Sequence, residues 1–242
     1  MFPRIFILGF LLLISITDSE AQVHLSSDAL VKVDFNTPCY IENFDSVSAD
    51  WPTFSNFNNL FMIQNGSYYM NRKAKADPYA LLSSKKVSTT EFQINLIVNP
   101  IEISNDGFIG LLFMLQESSA GGFIFEIGAG SRFRLRQIRD GIYRTITGDM
   151  GSKGWITDEN LIKYNTNNNL TIASSNRNYD LFINSKRILS FNDVEYKEGQ
   201  FGLLIGPETR VSIDQISVNN FQETTFVLKK ISLDFQKTPL IF

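Results

Sequence analysis

Short stretches in which apolar and polar residues alternate constrain the fold of this chain more than any other feature of its sequence. The clearest covers residues 92–98, FQINLIV. The same period of two returns over residues 123–127, 133–135, 170–172, 179–183 and 211–218, and Gly, Asn or Asp residues close each stretch. Because a period of two places successive side chains on opposite faces of a strand, the pattern predicts short antiparallel strands packed as a sandwich or barrel, with little helix.

The first two dozen residues predict export. Residues 5–16, IFILGFLLLISI, carry no charge and are too short for a membrane span, which needs about 20 apolar residues. Small residues, Ser19 and Ala21, stand where a signal peptidase would read before Gln22. We therefore expect a signal peptide over 1–21 and a secreted, periplasmic or cell-surface protein, with an uncut membrane anchor as the alternative.

No later stretch of the 242 residues approaches the length of a transmembrane helix. There is also no linker rich in Pro, Gly or Ser and no internal repeat. The sequence therefore predicts one domain over residues 22–242 and no membrane span after cleavage.

Composition excludes several classes of function. The net charge of −3 is spread along the chain without a basic block, so a nucleic-acid partner is not expected. His24 and Cys39 are the only residues of their kinds. A Ser-His catalytic pair and a transition-metal site are therefore not expected, and Cys39 is predicted to be an inert buried thiol.

An ordered series of motifs carries a resemblance to a known family. IENFDSVSADWP, IQNGSYYM, EFQINLIV and NDGFIGLLF come first, and GGFIFEI, RFRLRQIRDGIYRTI and EGQFGLLIGPETRVSIDQISV follow. In this order they resemble the concanavalin A-like (laminin-G-like) domains of bacterial exported proteins, over about residues 41–218. Ser185 departs from the family pattern, which usually has glycine there, and Gln215 stands where an acidic residue is frequent.

The resemblance implies an all-β fold, a two-sheet antiparallel jelly-roll sandwich. Members of the family include carbohydrate-binding modules, adhesion domains and some glycan-cleaving enzymes, so the resemblance alone does not select a function. It also implies a possible structural calcium ion where the first and last strands meet, which brings Asp45 and Asp214 forward as ligands. The alternative for both aspartates is a turn cap and a hydrogen bond at a strand edge.

Glycan hydrolysis requires two carboxylates, and the sequence does not offer an obvious pair. The laminarinase relatives of the fold carry glutamate-x-aspartate-x-x-glutamate on one strand, and this signature is absent. Glu126 is a single carboxylate between apolar neighbours. We therefore predict no catalytic residue, and a hydrolase that joins acids from different strands stays an alternative.

Residues 123–147 contain the most informative polar pattern. If the aromatic residues of this segment point inward, then Glu126, Arg132, Arg134, Arg136 and Arg144 project from the opposite face. Arginine side chains suit the carboxylates, sulfates and hydroxyls of an acidic glycan. A solvated sheet face with weak ion pairs is the alternative.

Aromatic residues in predicted loops complete the candidate site. Trp51 and Trp155 lie in loops and Tyr143 lies near a strand end, where their rings either line a binding groove or cover the core. The predicted ligand-binding set is therefore Trp51, Trp155, Tyr143, Glu126, Arg134 and Arg136. A glycan or cell-surface polymer is the expected partner, an adhesion module that binds protein is the second hypothesis, and the oligomeric state stays open.

Overall fold

A computed structural model describes residues 30–34, 38–117, 120–193, 195–220 and 222–226. The predicted signal peptide lies outside these residues. Residues 32–224 form one compact unit. Residues 1–31 and 225–242 are grouped in a second unit, of which the structure describes 30–31 and 225–226 only.

The described residues fold into strands without an α-helix, as the period of two predicts. In chain order the strands are β1 (Leu30–Asp34), β2 (Tyr40–Glu42), β3 (Phe54–Ser55), β4 (Asn59–Gln64), β5 (Ser67–Arg72), β6 (Tyr79–Val87), β7 (Phe92–Ile103), β8 (Phe108–Leu115), β9 (Gly121–Gly128), β10 (Arg132–Arg139), β11 (Ile142–Thr145), β12 (Ile156–Thr157), β13 (Asn168–Ser175), β14 (Asn178–Ile183), β15 (Lys186–Asn192), β16 (Gly199–Ile205), β17 (Thr209–Asn220) and β18 (Gln222–Phe226). Within the described ranges, no helix is long and apolar enough to cross a membrane.

Two large antiparallel sheets make up the fold. The nine-stranded sheet has the order β15-β14-β13-β7-β17-β5-β4-β3, with β2 also paired to β17. The seven-stranded sheet has the order β11-β10-β9-β8-β16-β6, with β12 also paired to β10. Strands β1 and β18 pair separately. Because β16 and β17 each lie between strands that are distant from them in sequence, the two sheets have the jelly-roll connectivity that the resemblance implies.

The main core lies between the two sheets. Alternate residues of β7 and β14 meet the inward residues of β8 and β9, and all of them are buried. Tyr179 of β14 lies 5.9 Å from both Phe113 of β8 and Phe123 of β9, between ring centroids. Aromatic contacts of this kind across the layers, together with aliphatic packing, hold the fold without an intrachain disulfide.

A second apolar cluster lies on the opposite, outer face of the seven-stranded sheet. It consists of Phe108, Leu112, Leu115, Ile124, Ile138 and Leu204, all buried, with Trp155 packed against it. Strands β8 and β9 are consequently buried on both faces along their whole length. We call this side of the sheet the outer face, and it carries most of the predicted site residues.

Two local predictions have clear outcomes. Ser185 and Asn184 form the two-residue turn between β14 and β15 with φ of 66° and 50°, the left-handed geometry that glycine or asparagine usually adopts. The placement of Arg144 on the arginine-bearing face is wrong. Arg144 pairs with Gln137, whereas Tyr143 pairs with Ile138, and cross-strand partners share a face.

Candidate functional site

Glu126 stands at the centre of the candidate site, on the outer face. It lies directly opposite Arg134 in the β9–β10 ladder, and Arg136 lies opposite Ile124, one position further along the same face. Arg134 donates from Nε and Nη2 to the two carboxylate oxygens of Glu126. Arg136 does the same, with 2.8 Å between its Nε and Oε2 of Glu126. One carboxylate therefore binds two guanidinium groups at once.

This cluster is buried, which distinguishes it from the solvated ion pairs that were its alternative interpretation. The Glu126 side chain is 0% exposed, and those of Arg134 and Arg136 are 10% and 14% exposed. Burial lowers the pKa of Arg134, and the hydrogen bonds and charge of Glu126 oppose that shift. Four donated hydrogen bonds occupy the acceptor capacity of the carboxylate, so Glu126 has little left with which to act as a base or to accept from a ligand.

Aromatic rings pack on the guanidinium groups. The Cζ atom of Arg134 lies 4.1 Å from the ring centroid of Trp155, and that of Arg136 lies 4.7 Å from the centroid of Tyr143. Phe108 lies 5.5 Å from Arg134 and 5.6 Å from Arg136 on the same measure. These cation–π contacts restrict both arginine side chains to one orientation. Trp155 is half-buried, whereas Tyr143 is 51% exposed and keeps ring surface accessible.

A tightly turned loop places Trp155. Thr147 accepts a hydrogen bond from the backbone of Leu135 in β10 and donates one to the carbonyl of Gly154, at 2.9 and 2.8 Å. Trp155 then leads directly into β12, which pairs with the beginning of β10. Gly128 of β9 gives the indole room, because a Cβ there would lie 2.9 Å from the ring. The hydrogen bonds of Thr147 before Trp155 in the chain and the β12–β10 pairing after it therefore hold the indole ring against the sheet.

An open cleft of about 440 Å³ adjoins the cluster. Arg132, Arg134 and Trp155 line it from the sheet side, residues 151–153 form one rim, and residues 105–106 form the other. Arg132 donates from Nη2 to the carbonyl of Asn105 and lies 4.5 Å over the Trp155 ring. The cleft therefore presents guanidinium and indole groups to anything that enters it.

Five of the six predicted ligand-binding residues come together here: Glu126, Arg134, Arg136, Trp155 and Tyr143. Trp51 does not, and its assignment to the ligand-binding set is wrong. It is 0% exposed, packs on Phe44 and Tyr68, and donates its indole N–H to Tyr40 at 2.9 Å. Its ring faces are therefore part of the core.

Of the two residues proposed for calcium, Asp214 fits the hydrogen-bonding alternative better. Asp214 accepts from the hydroxyl of Ser67 at 2.8 Å and from the amide of Asn167. Asp45 lies beside the tight turn at Gly66, which has a φ of +71°. Within the described ranges no three Asp, Glu, His or Cys side chains gather in a group that would hold a metal ion. Structural calcium stays a prediction.

Sequence reasoning missed some residues of the site and misjudged one thiol. The outer-face residue Phe108 and the cleft residues Asn105 and Lys153 were not expected. Phe108 had a signal: residues 108–115, FIGLLFML, are continuously apolar, which is typical of a strand buried on both faces. Asn105 and Lys153 lie in loops without a comparable signal. Cys39 is exposed rather than buried, and its Sγ donates to the carbonyl of Val218.

Comparison with known proteins supports the fold and does not assign a family. No family model and no curated protein matches the sequence. Among solved structures, the carbohydrate-binding module CBM66 from Bacillus subtilis superimposes with a TM-score of 0.55 at 14% identity, covering 71% of this chain and 96% of that one. A galectin-like protein of unknown function from Bacillus subtilis gives a TM-score of 0.60 at 12% identity, with coverage of 80% and 100%.

An enzyme shares the same architecture. The catalytic domain of an endo-1,3-β-glucanase (laminarinase) from Thermotoga petrophila superimposes with a TM-score of 0.54 at 8% identity, covering 81% of this chain and 100% of that one. The chain therefore has the concanavalin A-like, galectin-like jelly-roll fold, as the motif series predicted. Structures with this fold include both carbohydrate-binding and glycan-cleaving proteins.

Proposed function

We propose that this protein is an exported, non-catalytic carbohydrate-binding domain whose site is the outer face of the seven-stranded sheet. The observation that carries the proposal is the pair of arginine forks, Arg134 and Arg136, fixed by one buried carboxylate beside two aromatic rings. The solved structures that share the fold and are named for carbohydrate binding or cleavage support it. The predicted signal peptide supports export.

The buried charge cluster is difficult to explain by stability alone. Burying an arginine–glutamate–arginine group costs desolvation free energy, and replacing such a group by apolar residues is often neutral or stabilising. A chain that needed only a covered sheet face would obtain it from apolar residues, as the neighbouring cluster around Ile124 does. We therefore attribute the cluster to ligand binding, because it holds both arginines in fixed positions.

The hydrogen-bonding pattern leaves donors for that ligand. Arg136 uses Nε and Nη2 for Glu126, and among the described residues Nη1 has no protein acceptor. Tyr143 covers one side of this guanidinium and is itself half-exposed. Hydroxyl oxygens of a sugar can accept from the Arg136 donors while an apolar face of the sugar ring packs on Tyr143.

Binding is tested with an oligosaccharide panel and two-dimensional NMR of the indole N–H groups. The chain has two tryptophans, so two indole signals are expected, and a Trp155→Phe variant assigns them. A ligand on the outer face shifts the Trp155 signal and leaves that of buried Trp51 unchanged. Titration calorimetry of any oligosaccharide that produces the shift then gives its affinity.

The decisive variant is Arg136→Gln, which leaves the Glu126–Arg134 pair intact. Loss of a charged donor pair is expected to weaken binding by about ten-fold or more. The matched control is Arg187→Gln on the other sheet, where Arg187 lies 3.7 Å from Asp180 and is largely exposed. Absence of binding across the panel, or equal binding by Arg136→Gln and Arg187→Gln, would overturn the proposal.

A glycan hydrolase is the second candidate, because laminarinase shares the fold. Glu126 is its best candidate acid, but all of its acceptor sites face arginine donors. Reducing-sugar release from a bound glycan, lost in Glu126→Gln variants that remain folded and bind, would support an enzyme. Binding without release supports the non-catalytic domain.

A further inference from the structure

We infer that the cleft beside the charge cluster binds the acidic group, a carboxylate or a sulfate, of a negatively charged sugar. This inference deepens the proposed function and rests on it, since it names the class of glycan. It depends on three features of the cleft: its net charge, an arginine that pairs with no carboxylate among the described residues, and the scarcity of free acceptors on its sheet side.

The charge balance of the cleft is positive. Glu126 neutralises only one of its two arginines, so that cluster retains one positive charge. Arg132 and Lys153 line the same cleft and add two more, against the single carboxylate of Asp106 on the opposite rim. A cleft that holds several cations at short range attracts an anion more strongly than a neutral sugar.

Arg132 differs from its two neighbours on the strand. Arg134 and Arg136 bind Glu126, whereas the hydrogen bond described for Arg132 goes to the backbone carbonyl of Asn105. Its Nε is buried and donates to no acceptor in the described part of the chain. A buried donor without a partner is rare in folded proteins, and the guanidinium of Arg132 has no carboxylate counter-charge among the described residues.

On the sheet side of the cleft the protein acceptors are already used by arginines, whereas the side-chain oxygens of Asn105 and Asp106 lie on the opposite rim. The carboxylate of Glu126 accepts four hydrogen bonds, the carbonyl of Lys153 accepts from Arg134 at 3.2 Å, and that of Asn105 accepts from Arg132. A sugar hydroxyl brings a donor as well as an acceptor, and its proton finds few partners here. Carboxylate and sulfate oxygens only accept, which matches a wall that mostly donates.

The experiment compares glucuronate with glucose, two monosaccharides that differ by a carboxylate, and adds inorganic sulfate. The Trp155 indole N–H signal in two-dimensional NMR is the readout, and the signal of buried Trp51 is the internal control. We expect saturable shifts with glucuronate and sulfate, and binding of glucose weaker by about ten-fold or more. The shifts should diminish as salt is raised, since screening weakens exposed charge contacts.

Two rim substitutions give effects of opposite sign. Lys153→Gln is expected to weaken glucuronate binding by about three-fold, and Asp106→Asn to strengthen it by a similar factor. Arg132→Gln is expected to weaken it by about ten-fold. Lys153 is exposed, so its variant keeps the fold even if the Arg132 variant does not.

The inference is overturned if glucose shifts the Trp155 signal as readily as glucuronate, or if neither glucuronate nor sulfate shifts it. Equal glucuronate affinities in the Lys153→Gln and Asp106→Asn variants would also overturn it. These outcomes are separate from failure of the proposed function, which the oligosaccharide panel and Arg136→Gln decide. A protein that binds neutral oligosaccharides and ignores both anions retains the proposed function without this specificity.

Discussion

Glu126 organises the surface that we propose for binding, although its own side chain is buried. Its carboxylate lies under Arg134 and Arg136 and is inaccessible to solvent. The two guanidinium groups are held by paired hydrogen bonds on one side and by Tyr143 or Trp155 on another. An arginine fixed in this way loses little side-chain entropy when a ligand binds, which favours affinity.

Glu126→Gln is expected to destabilise the fold by about 3–5 kcal/mol, because two buried guanidinium groups lose the counter-charge that they share. The free energy of unfolding from chemical denaturation measures this loss. The control is Glu117→Gln, at a 91% exposed side chain 3.9 Å from Lys86, where the expected change is within about 0.5 kcal/mol. A loss below about 1 kcal/mol for Glu126→Gln would show that the cluster is better solvated than its burial implies.

At the residue scale, the sequence predicted which charged side chains share a face, but it did not predict whether those side chains are exposed or buried. Alternation placed Glu126, Arg134 and Arg136 on one face, and the register confirms this. It could not show that the outer face is covered, because cover comes from a loop that is distant along the chain. For the same reason Trp51 and Trp155, both in loops, could not be separated into one core residue and one site residue before the fold was known.

Among the elements, the loop from Thr147 to Trp155 is the part on which the site depends most. The backbones of Gly148 and Gly154 meet where the two ends of the loop come together, and we call this contact the neck. A Cβ on Gly148 would lie 2.7 Å from the carbonyl carbon of Gly154. This backbone contact closes the loop so that Trp155 returns to the sheet beside Arg132 and Arg134. The loop is therefore a scaffold element as well as a cleft wall.

Gly154→Ala should open this loop. Gly154 has a φ of +81°, and a Cβ there would lie 2.7 Å from Cγ2 of Thr145 and 2.9 Å from the carbonyl oxygen of Thr147. We expect a stability loss of about 1–3 kcal/mol and easier quenching of Trp155 fluorescence by iodide. Gly141→Ala is the matched control: its φ is +74°, and nothing lies within 4 Å of its Cβ position. Equal effects of the two substitutions would contradict a role for the neck contact.

Element types were predictable to different degrees. The strands with clean alternation, such as β7 and β13, were predicted and confirmed. The short strand β12 was not, because two residues inside a polar loop carry no period. Strands β8 and β9 were predicted as strands, but their burial on both faces was not, because the alternating pattern of β9 places the charged Glu126 on the outer face.

On the scale of the whole molecule, stability depends on a core that includes several buried phenols. Tyr68 and Tyr179 are 0% exposed, and Tyr40 lies partly buried against Trp51. Burial raises the pKa of Tyr40 and of Tyr179 from 10.0 to about 12, and it raises the pKa of Tyr68 as well. The free energy of unfolding of the sandwich is therefore expected to depend on pH in the alkaline range.

The sign of this dependence follows from which state, folded or unfolded, loses its tyrosine protons at the lower pH. In the unfolded chain the phenols ionise near pH 10, whereas in the folded protein they keep their protons until about pH 12. The stability that they contribute is complete below about pH 10 and falls between about pH 10 and pH 12. We expect a loss on the order of a few kcal/mol across this window, measured by denaturation at several pH values.

Tyr179→Phe tests the origin of the alkaline effect. It removes one of the titrating phenols while keeping the ring that packs on Phe92 and Phe113. The slope of stability against pH above about pH 10 should then be shallower than in the unmodified protein. An unchanged slope would mean that other groups dominate alkaline unfolding.

The shared carboxylate also has a consequence for how the sequence can evolve. A change of Glu126 alone leaves two buried cations, whereas loss of both arginines leaves a buried anion, and each intermediate is costly. The three positions therefore form one heritable unit. Among relatives of this chain we expect them to be inherited together or replaced together by apolar residues, with the proposed glycan binding lost in the same lineages.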